Sequence, residues 1–509
     1  MNSASRPTLA DPGLVDRTPS GGRPNERPRL SLLLQRLRRT PVWLPPALLA
    51  LLLGFWHLGR PLLWRDELAT WSATSRSLGQ LWGLLGNVDA VSGAYYLFLH
   101  GWTAVLGDSP AVLRAPSALA IALAAGLTAA LGRRLFGARA GLWAGLLFAL
   151  VPAVLRYAQE ARSYGMVTAA VVLATWQLVR VLDCQPEWSR RRMRLEWLGY
   201  AGALVLTGAL HLVALAVLTS HLWLVLTRRR RAWRGLLAAT VLALAVLSPL
   251  LIAGRAESGR QINWIQRPNL LAFPGMVHDL TSSWPITIAL LVLAVVACRQ
   301  RDARRYLPVP FLPIVAVWIA SQGTNSYWVE RYLLFTVPLW TVLAGAGAEN
   351  LPRPRWTAPA ALVVVAALAL PGLKDQSGLW SHTGTDWRGA ARIVSADHRP
   401  GDAMVPERGG AAVYMLDLGI DYYLPAKDRL KDLFLAKPAV ARDDLMGTEC
   451  AVPASCLNGA PRVWVITFGH AHDALAGLPL PQQRALRAHY TVTEIKYVKG
   501  LTLGLLVER

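Results

Sequence analysis

Apolar positions crowd the first three quarters of the chain in continuous runs and thin out abruptly near residue 372. Runs such as LPPALLALLLGFWHLG (44–59), ALAIALAAGLTAALG (118–132) and ALVVVAALALPG (361–372) approach the ~20 residues with which a helix crosses the hydrocarbon of a bilayer. Short basic clusters punctuate them: RLRR (36–39), RRLFGAR (133–139), SRRRMR (189–194), RRRRAWR (228–234), RQRDARR (299–305) and RPR (353–355). Basic residues beside apolar runs mark the cytoplasmic side. The pattern then predicts eleven spans, near 42–59, 111–131, 140–155, 164–182, 197–209, 211–227, 233–253, 285–298, 306–320, 331–347 and 356–372. An odd number of crossings puts the termini on opposite sides, so with the N-terminus inside the final 137 residues lie outside.

One apolar stretch, AYYLFLHGWTAVLG (94–107), would break this parity if it crossed. It is short, and Tyr95, Tyr96 and Trp102 give it the aromatic character of a helix lying in the headgroup region; an ordinary short span is the alternative. Around His211 two short runs predict a helical hairpin. Two long polar stretches, 60–110 and 254–284, face outward and are the places to look for function. Beyond residue 375 the pattern changes to mixed α/β: DWRGAARIVSADH has helical spacing, DAMVP and RVWVITF read as strands, and YTVTEIKYVKGLTLGLLVER as a terminal hairpin. The predicted organisation is a disordered cytoplasmic tail (1–41), a polytopic α-helical membrane domain of about eleven spans (42–372) and a C-terminal α/β extracytoplasmic domain (373–509). No internal repeat and no Gly-rich loop of the P-loop or dinucleotide type is present.

Composition agrees with membrane residence: 53% of residues are hydrophobic, 17% are charged and mean hydropathy is +0.33. The net charge of +22 would suggest nucleic acid were it spread over a soluble surface. Instead residues 1–372 carry 37 Lys+Arg against 16 Asp+Glu, nearly all of the excess, clustered beside the spans. That distribution is topological and excludes a nucleic-acid footprint. Of four cysteines, Cys184 and Cys298 lie beside basic clusters, where a reducing cytoplasm keeps thiols. Cys450 and Cys456, in TECAVPASC, can form a short-loop disulfide if that segment is exported, or remain two buried thiols.

Three polar motifs are assigned to the outward side. LLWRDELATW (62–71) sets Asp66 and Glu67 at the membrane boundary, where a carboxylate is costly without a job or partner; a general base is one such job. RYAQEARSYG (156–165) packs Arg156, Glu160, Arg162 and Tyr164 between apolar runs. Arg suits phosphate because its planar fork binds two oxygens at once, and arginines outside act against correct insertion, so something beyond topology maintains them. SYWVERYLLF (326–335) repeats acid beside arginine in Glu330 and Arg331. Arg114 and His211 are weaker candidates, a lone histidine at a helix turn being more often structural.

These residues resemble the C-type multi-pass glycosyltransferases, and within them glycosyltransferase family 39, whose relatives include protein O-mannosyltransferases and lipid A aminoarabinose transferases. The likeness rests on Asp66 and Glu67 in the first external loop, on the stretch from LRAPSALAIALAAG to RYAQEARSYG, and on ERYLLFTVP; it covers roughly residues 60–350. It implies a polyprenyl-phosphate sugar donor, inversion at the anomeric carbon, Asp66 as catalytic base with Glu67 its neighbour, and Glu160, Arg162 and Tyr164 as the second external motif. No cofactor is expected; a divalent metal, which some relatives bind through acids here, meets an arginine-rich motif instead.

The expected function is transfer of a sugar, by the family's default mannose, from a polyprenyl-phosphate donor in the membrane lipid to a hydroxyl of a glycan, glycolipid or protein at the extracytoplasmic face of the cell membrane. The main alternative is a polytopic lipid or glycan transporter or flippase. That class places ionisable or Gly/Pro-broken positions at span centres, often duplicated between halves, and no such duplication is found. A sensor or scaffold, a third class, would leave Asp66 and Arg162 dispensable.

Overall fold

The computed structural model describes residues 41–184, 188–352, 356–408, 415–457 and 459–509. The tail read over 1–41 lies outside them save its last residue, as do the RLRR and RPR clusters. The apolar stretches before residue 373 fold mainly as helix, though the one over 306–320 is a run of turns until Leu312–Ala320. Among the described residues five helices are long and apolar enough to cross a membrane: Pro110–Phe136, Tyr164–Leu182, Arg230–Gly259, Glu330–Glu349 and Thr357–Gln376. Two bent pairs raise the number to seven if each is one span. The remaining stretches form helices that are shorter, such as Leu44–Phe55, or begin with charge, such as Arg190–Leu210, so the structure by itself does not reach eleven.

The bends have local causes. The run read as one span over 140–155 is two helices, Ala138–Ala149 and Pro152–Ala158, meeting at 66°. Pro152 has no N–H to give, and it holds Val151 in extended backbone, so it starts a helix rather than continuing one. Ala272–Asp279 and Trp284–Ala297 meet at 97°, with Ser282 at φ 55° in the break and Pro285 opening the second helix. The hairpin at His211 is a helix end, where the chain turns extended before Leu212–Ala216.

Small residues let the central helices close on one another. A Cβ added at Gly345 would lie 2.4 Å from the Ala140 carbonyl, and one at Gly141 equally close to that of Ala129. Where lipid is as apolar as leucine, such close backbone approach drives helix association. Inside this packing His221 is fully buried with both ring nitrogens satisfied, at 2.9 Å from Thr175 Oγ1 and 2.9 Å from the Tyr200 hydroxyl. Thr175 gives its own proton to the Val171 carbonyl. His221 Nε2 therefore donates to Thr175 and Nδ1 accepts from Tyr200, which fixes one neutral tautomer.

The C-terminal part follows its sequence pattern. Asp386 caps the helix Trp387–Ala396 by accepting from the Gly389 N–H. We number the strands β1 (Ala403–Pro406), β2 (Lys431–Asp432), β3 (Leu435–Lys437), β4 (Thr448–Glu449), β5 (Arg462–Phe468), β6 (Tyr490–Val498) and β7 (Leu501–Glu508). The main sheet has the order β2-β1-β5-β7-β6, parallel on the first side and antiparallel across β5, β7 and β6. The central strand β5 is buried along nearly its whole length, as its continuous apolar run requires. β3 and β4 form a separate antiparallel pair. Cys450 and Cys456 are joined by a disulfide; Cys184 and Cys298 are free.

Candidate active site

Residues 65–74 form a helix directly after the first apolar helix, and Asp66 and Glu67 occupy its first turn, where the N-terminal dipole favours carboxylates. Neighbouring helical positions point about 100° apart, and the two acids part company. Glu67 turns inward and is wholly buried; Asp66 stays half-exposed, its nearest ion-pair partner being Arg65 at 3.4 Å.

Glu67 lies at the centre of four separate segments. Its Oε1 accepts from Arg114 Nε at 2.7 Å and from the Ala161 N–H at 2.8 Å. Its Oε2 accepts from Arg114 Nη2 at 2.7 Å and from the Trp64 N–H at 3.4 Å, and faces His382 Nδ1 at 3.5 Å. Arg114 is equally buried and spends its remaining hydrogens on the carbonyls of Leu58, Pro61 and Leu62. Burial alone would raise the Glu67 carboxyl; the charge and hydrogen bonds of Arg114, then His382, overcome it and hold the group far below the usual carboxylate range. Burial lowers His382 to about 4 against the upward pull of Glu67, leaving it neutral at pH 7. A bidentate, sealed carboxylate of this kind organises its surroundings and has no free oxygen for a substrate proton.

Because Ala161 precedes Arg162, the bond from Glu67 fixes the second motif against the first. Arg162 Nη1 reaches Tyr96 Oη at 3.2 Å and Thr70 Oγ1 at 3.4 Å. Among the described residues its Nε and Nη2 make no hydrogen bond. Arg331 comes from the third motif, with Glu330 at 3.8 Å and its guanidinium between the rings of Trp64, Trp264 and Tyr332 at 5.9, 5.3 and 5.7 Å. Thr70, which holds Arg162, donates to the Asp66 carbonyl at 2.9 Å, and Trp64, against which Arg331 packs, is the N-cap residue of the Asp66 helix. The three motifs thus meet at the first turns of the Asp66 helix.

The other candidates line the same region. Tyr157 donates to Glu330 at 3.1 Å and packs edge-on against Tyr164. His211 sits on Tyr332 with ring centres 4.6 Å apart and near Tyr164 at 5.9 Å, which makes it part of the aromatic wall. Cys450 and Cys456 lie apart from the site, in the sheet domain. Glu160 is buried, and among the described residues neither carboxyl oxygen has a hydrogen-bond partner; Arg156 Nε stands at 3.9 Å. Burial raises its pKa from 4.5 to about 8, Arg156 opposing. A folded-state value above the unfolded one gives stability that is complete below pH 4.5 and is lost as pH rises through about 8. Glu160→Gln, which cannot ionise, is expected to flatten the fall in melting temperature across that window; an unchanged slope would show that Glu160 titrates normally. Among the described residues no group of three or more His, Cys, Asp or Glu side chains is placed to hold a metal ion.

Several site residues escape a reading of the sequence. His382 lies in the Gly/Ser/Thr-rich segment after the last apolar helix. That segment and the sheet domain cover the first loop: Arg156 donates to the Ser381 carbonyl at 2.7 Å, Trp387 Nε1 to the Leu63 carbonyl at 3.0 Å, and the Leu63 N–H to the Tyr423 hydroxyl at 3.0 Å. Arg76 and Asn87 reach the Asp444 and Asp443 carbonyls. Asp89, which precedes the helix of Tyr96, gave no signal, and Tyr96 none beyond the aromatic character of that helix.

The comparisons with known proteins bear on this geometry. Residues 93–252 match the family model described as dolichyl-phosphate-mannose-protein mannosyltransferase. None of the curated proteins matches the chain. Two solved structures of ArnT from Cupriavidus metallidurans superpose over nearly the whole chain. The apo form has a TM-score of 0.59 and the form bound to undecaprenyl phosphate 0.60, each at 13% identity and covering 94% of this chain and 98% of the other. The chain is thus a multi-pass membrane protein with the fold of ArnT from Cupriavidus metallidurans, and its residues 93–252 fit the family model of the dolichyl-phosphate-mannose-protein mannosyltransferases.

Proposed function

We propose that this chain transfers a sugar, mannose in the first instance, from a polyprenyl-phosphate donor to an acceptor hydroxyl at the extracytoplasmic face of the membrane, with inversion at the anomeric carbon. The observation that carries the reading is the partly exposed Asp66 carboxylate at the start of a helix whose Thr70 holds Arg162 and whose N-cap residue Trp64 packs against Arg331. Asp66 takes the acceptor proton as the acceptor oxygen bonds to C1, and the bond from C1 to the phosphate oxygen breaks on the opposite side. The phosphate leaves with its second negative charge, which Arg162 and Arg331 stabilise; one such donor is worth roughly 3 kcal/mol. Glu67 positions, and the aromatic wall of Trp64, Trp264, Tyr164 and Tyr332 flanks the arginines. The likeness to ArnT, one of whose structures holds undecaprenyl phosphate, supports a lipid-phosphate donor. The fit of residues 93–252 to the mannosyltransferase model supports mannose.

The test is incorporation of radiolabelled mannose. Purified protein in lipid is incubated with polyprenyl-phosphate mannose and cell-envelope fractions, and the labelled fraction identifies the acceptor as protein, glycolipid or wall polysaccharide. Absence of label from mannose with label from another polyprenyl-phosphate sugar would replace the sugar and keep the chemistry. Absence of label from every such donor, with lipid moved between leaflets, would establish the transporter alternative.

A further inference from the structure

Asp89 is one of five non-glycine residues with positive φ among those described, at φ 61° and ψ 30°. This left-handed region is tolerated by Asp and Asn because a short polar side chain can bond locally. Asp89 does so: Oδ1 accepts from the Ser92 hydroxyl at 2.9 Å. Its other oxygen is committed elsewhere, accepting the Tyr96 hydroxyl proton at 2.5 Å. The turn is held from behind by Glu257, whose carboxylate accepts the Ala90 N–H at 3.1 Å and the Gln261 amide at 3.0 Å.

Tyr96 is wholly buried, so its hydroxyl is placed by packing as well as by Asp89. With the proton given to a carboxylate, its oxygen is left as an acceptor of raised strength, and it is this oxygen that receives Arg162 Nη1 at 3.2 Å. Thr70 Oγ1, on the helix that bears Asp66, takes the same nitrogen at 3.4 Å and hands its own proton to the Asp66 carbonyl at 2.9 Å. One edge of the guanidinium is therefore anchored between the first loop and the helix of the base, and the opposite edge, Nε and Nη2, makes no hydrogen bond among the described residues. An arginine binds phosphate well only when the fork is aimed, since two parallel bonds need one plane.

We propose that Asp89 and Tyr96 form a positioning relay that aims the Arg162 fork at the donor phosphate, a role that rests on the glycosyl-transfer reading above. The chemistry sets where the relay is felt. The donor phosphodiester carries one negative charge, and the departing polyprenyl phosphate gains a second as the C1–O bond breaks. A misaimed Arg162 therefore weakens transition-state and product binding more than donor binding. Loss of aim lowers kcat and weakens polyprenyl phosphate, while KM for the donor moves little.

Three variants test this. Asp89→Gly keeps the left-handed backbone at no steric cost and removes only the carboxylate; kcat is expected to fall about tenfold and the inhibition constant of polyprenyl phosphate to rise about tenfold, the size of one lost bond to a charged group. Asp89→Asn, which tolerates the same φ and still offers Tyr96 an oxygen, recovers most of that loss. Tyr96→Phe reproduces the glycine effect, and combining the two adds little, because both break one chain. Melting temperatures close to wild type for Asp89→Gly separate aiming from folding. Wild-type kcat and inhibition constant in Asp89→Gly, or a fall confined to melting temperature, would overturn the relay. Direct binding of polyprenyl phosphate without acceptor reads the relay even if wild-type protein transfers no sugar, an outcome that would overturn the transfer reading alone.

Discussion

Asp66→Asn is expected to abolish sugar transfer while leaving insertion, yield and melting temperature close to wild type. The side chains are nearly the same size, and Asp66 is half-exposed and makes one loose ion pair with Arg65, so folding loses little. The chemistry loses its proton acceptor at neutral pH, which typically costs 10²- to 10⁴-fold in rate. The measurement is turnover with labelled polyprenyl-phosphate sugar at saturating donor and acceptor. Donor binding should persist, since Arg162 and Arg331 are untouched and lose only a repelling neighbour of the phosphate. Turnover at the wild-type rate would remove Asp66 from the mechanism.

Its neighbour is expected to behave in the opposite way. Glu67→Ala leaves the Arg114 guanidinium fully buried without a counter-charge and the Ala161 N–H without its acceptor. Breaking a buried pair from one side costs about 3–5 kcal/mol, so a large drop in melting temperature should precede any kinetic reading. Glu67→Gln keeps the shape and one oxygen toward Ala161 or Arg114 and should fall between. Where enough folded protein remains, transfer follows the same order, because Arg162 is set through Ala161. A Glu67→Ala variant as stable as wild type would show that the four segments are held by packing alone.

The contrast between these adjacent acids marks where sequence stops being informative. The dipeptide at 66–67 is visible as a costly pair at a membrane boundary, but which of the two turns inward depends on the partner that arrives from Arg114, 47 residues away. Arg114 itself carried a usable signal: it lies five residues inside an apolar helix with no acid on its own turn, so it had to find one elsewhere. His382 carried none, since SHTGT reads as linker. The apolar runs were legible because they obey a length rule set by the bilayer, and the strands of the last domain because they alternate or stay apolar throughout. The break at Pro152 was also legible in principle, as a proline following a run that had no other reason to end. What periodicity cannot supply is the order of strands in the sheet, or the fact that the sheet domain settles over the first loop, because both depend on contacts between residues up to several hundred positions apart.

The contacts of Ser381 and His382 with Arg156 and Glu67 carry a consequence for biosynthesis. A ribosome delivers residue 67 long before residue 382, so throughout most of translation the nascent chain holds its acid and arginine with one wall missing. The centre is finished only when the last quarter has been made and has packed back onto the first loop. A copy cut short before residue 381 would therefore leave Arg156 and Glu67 without these partners.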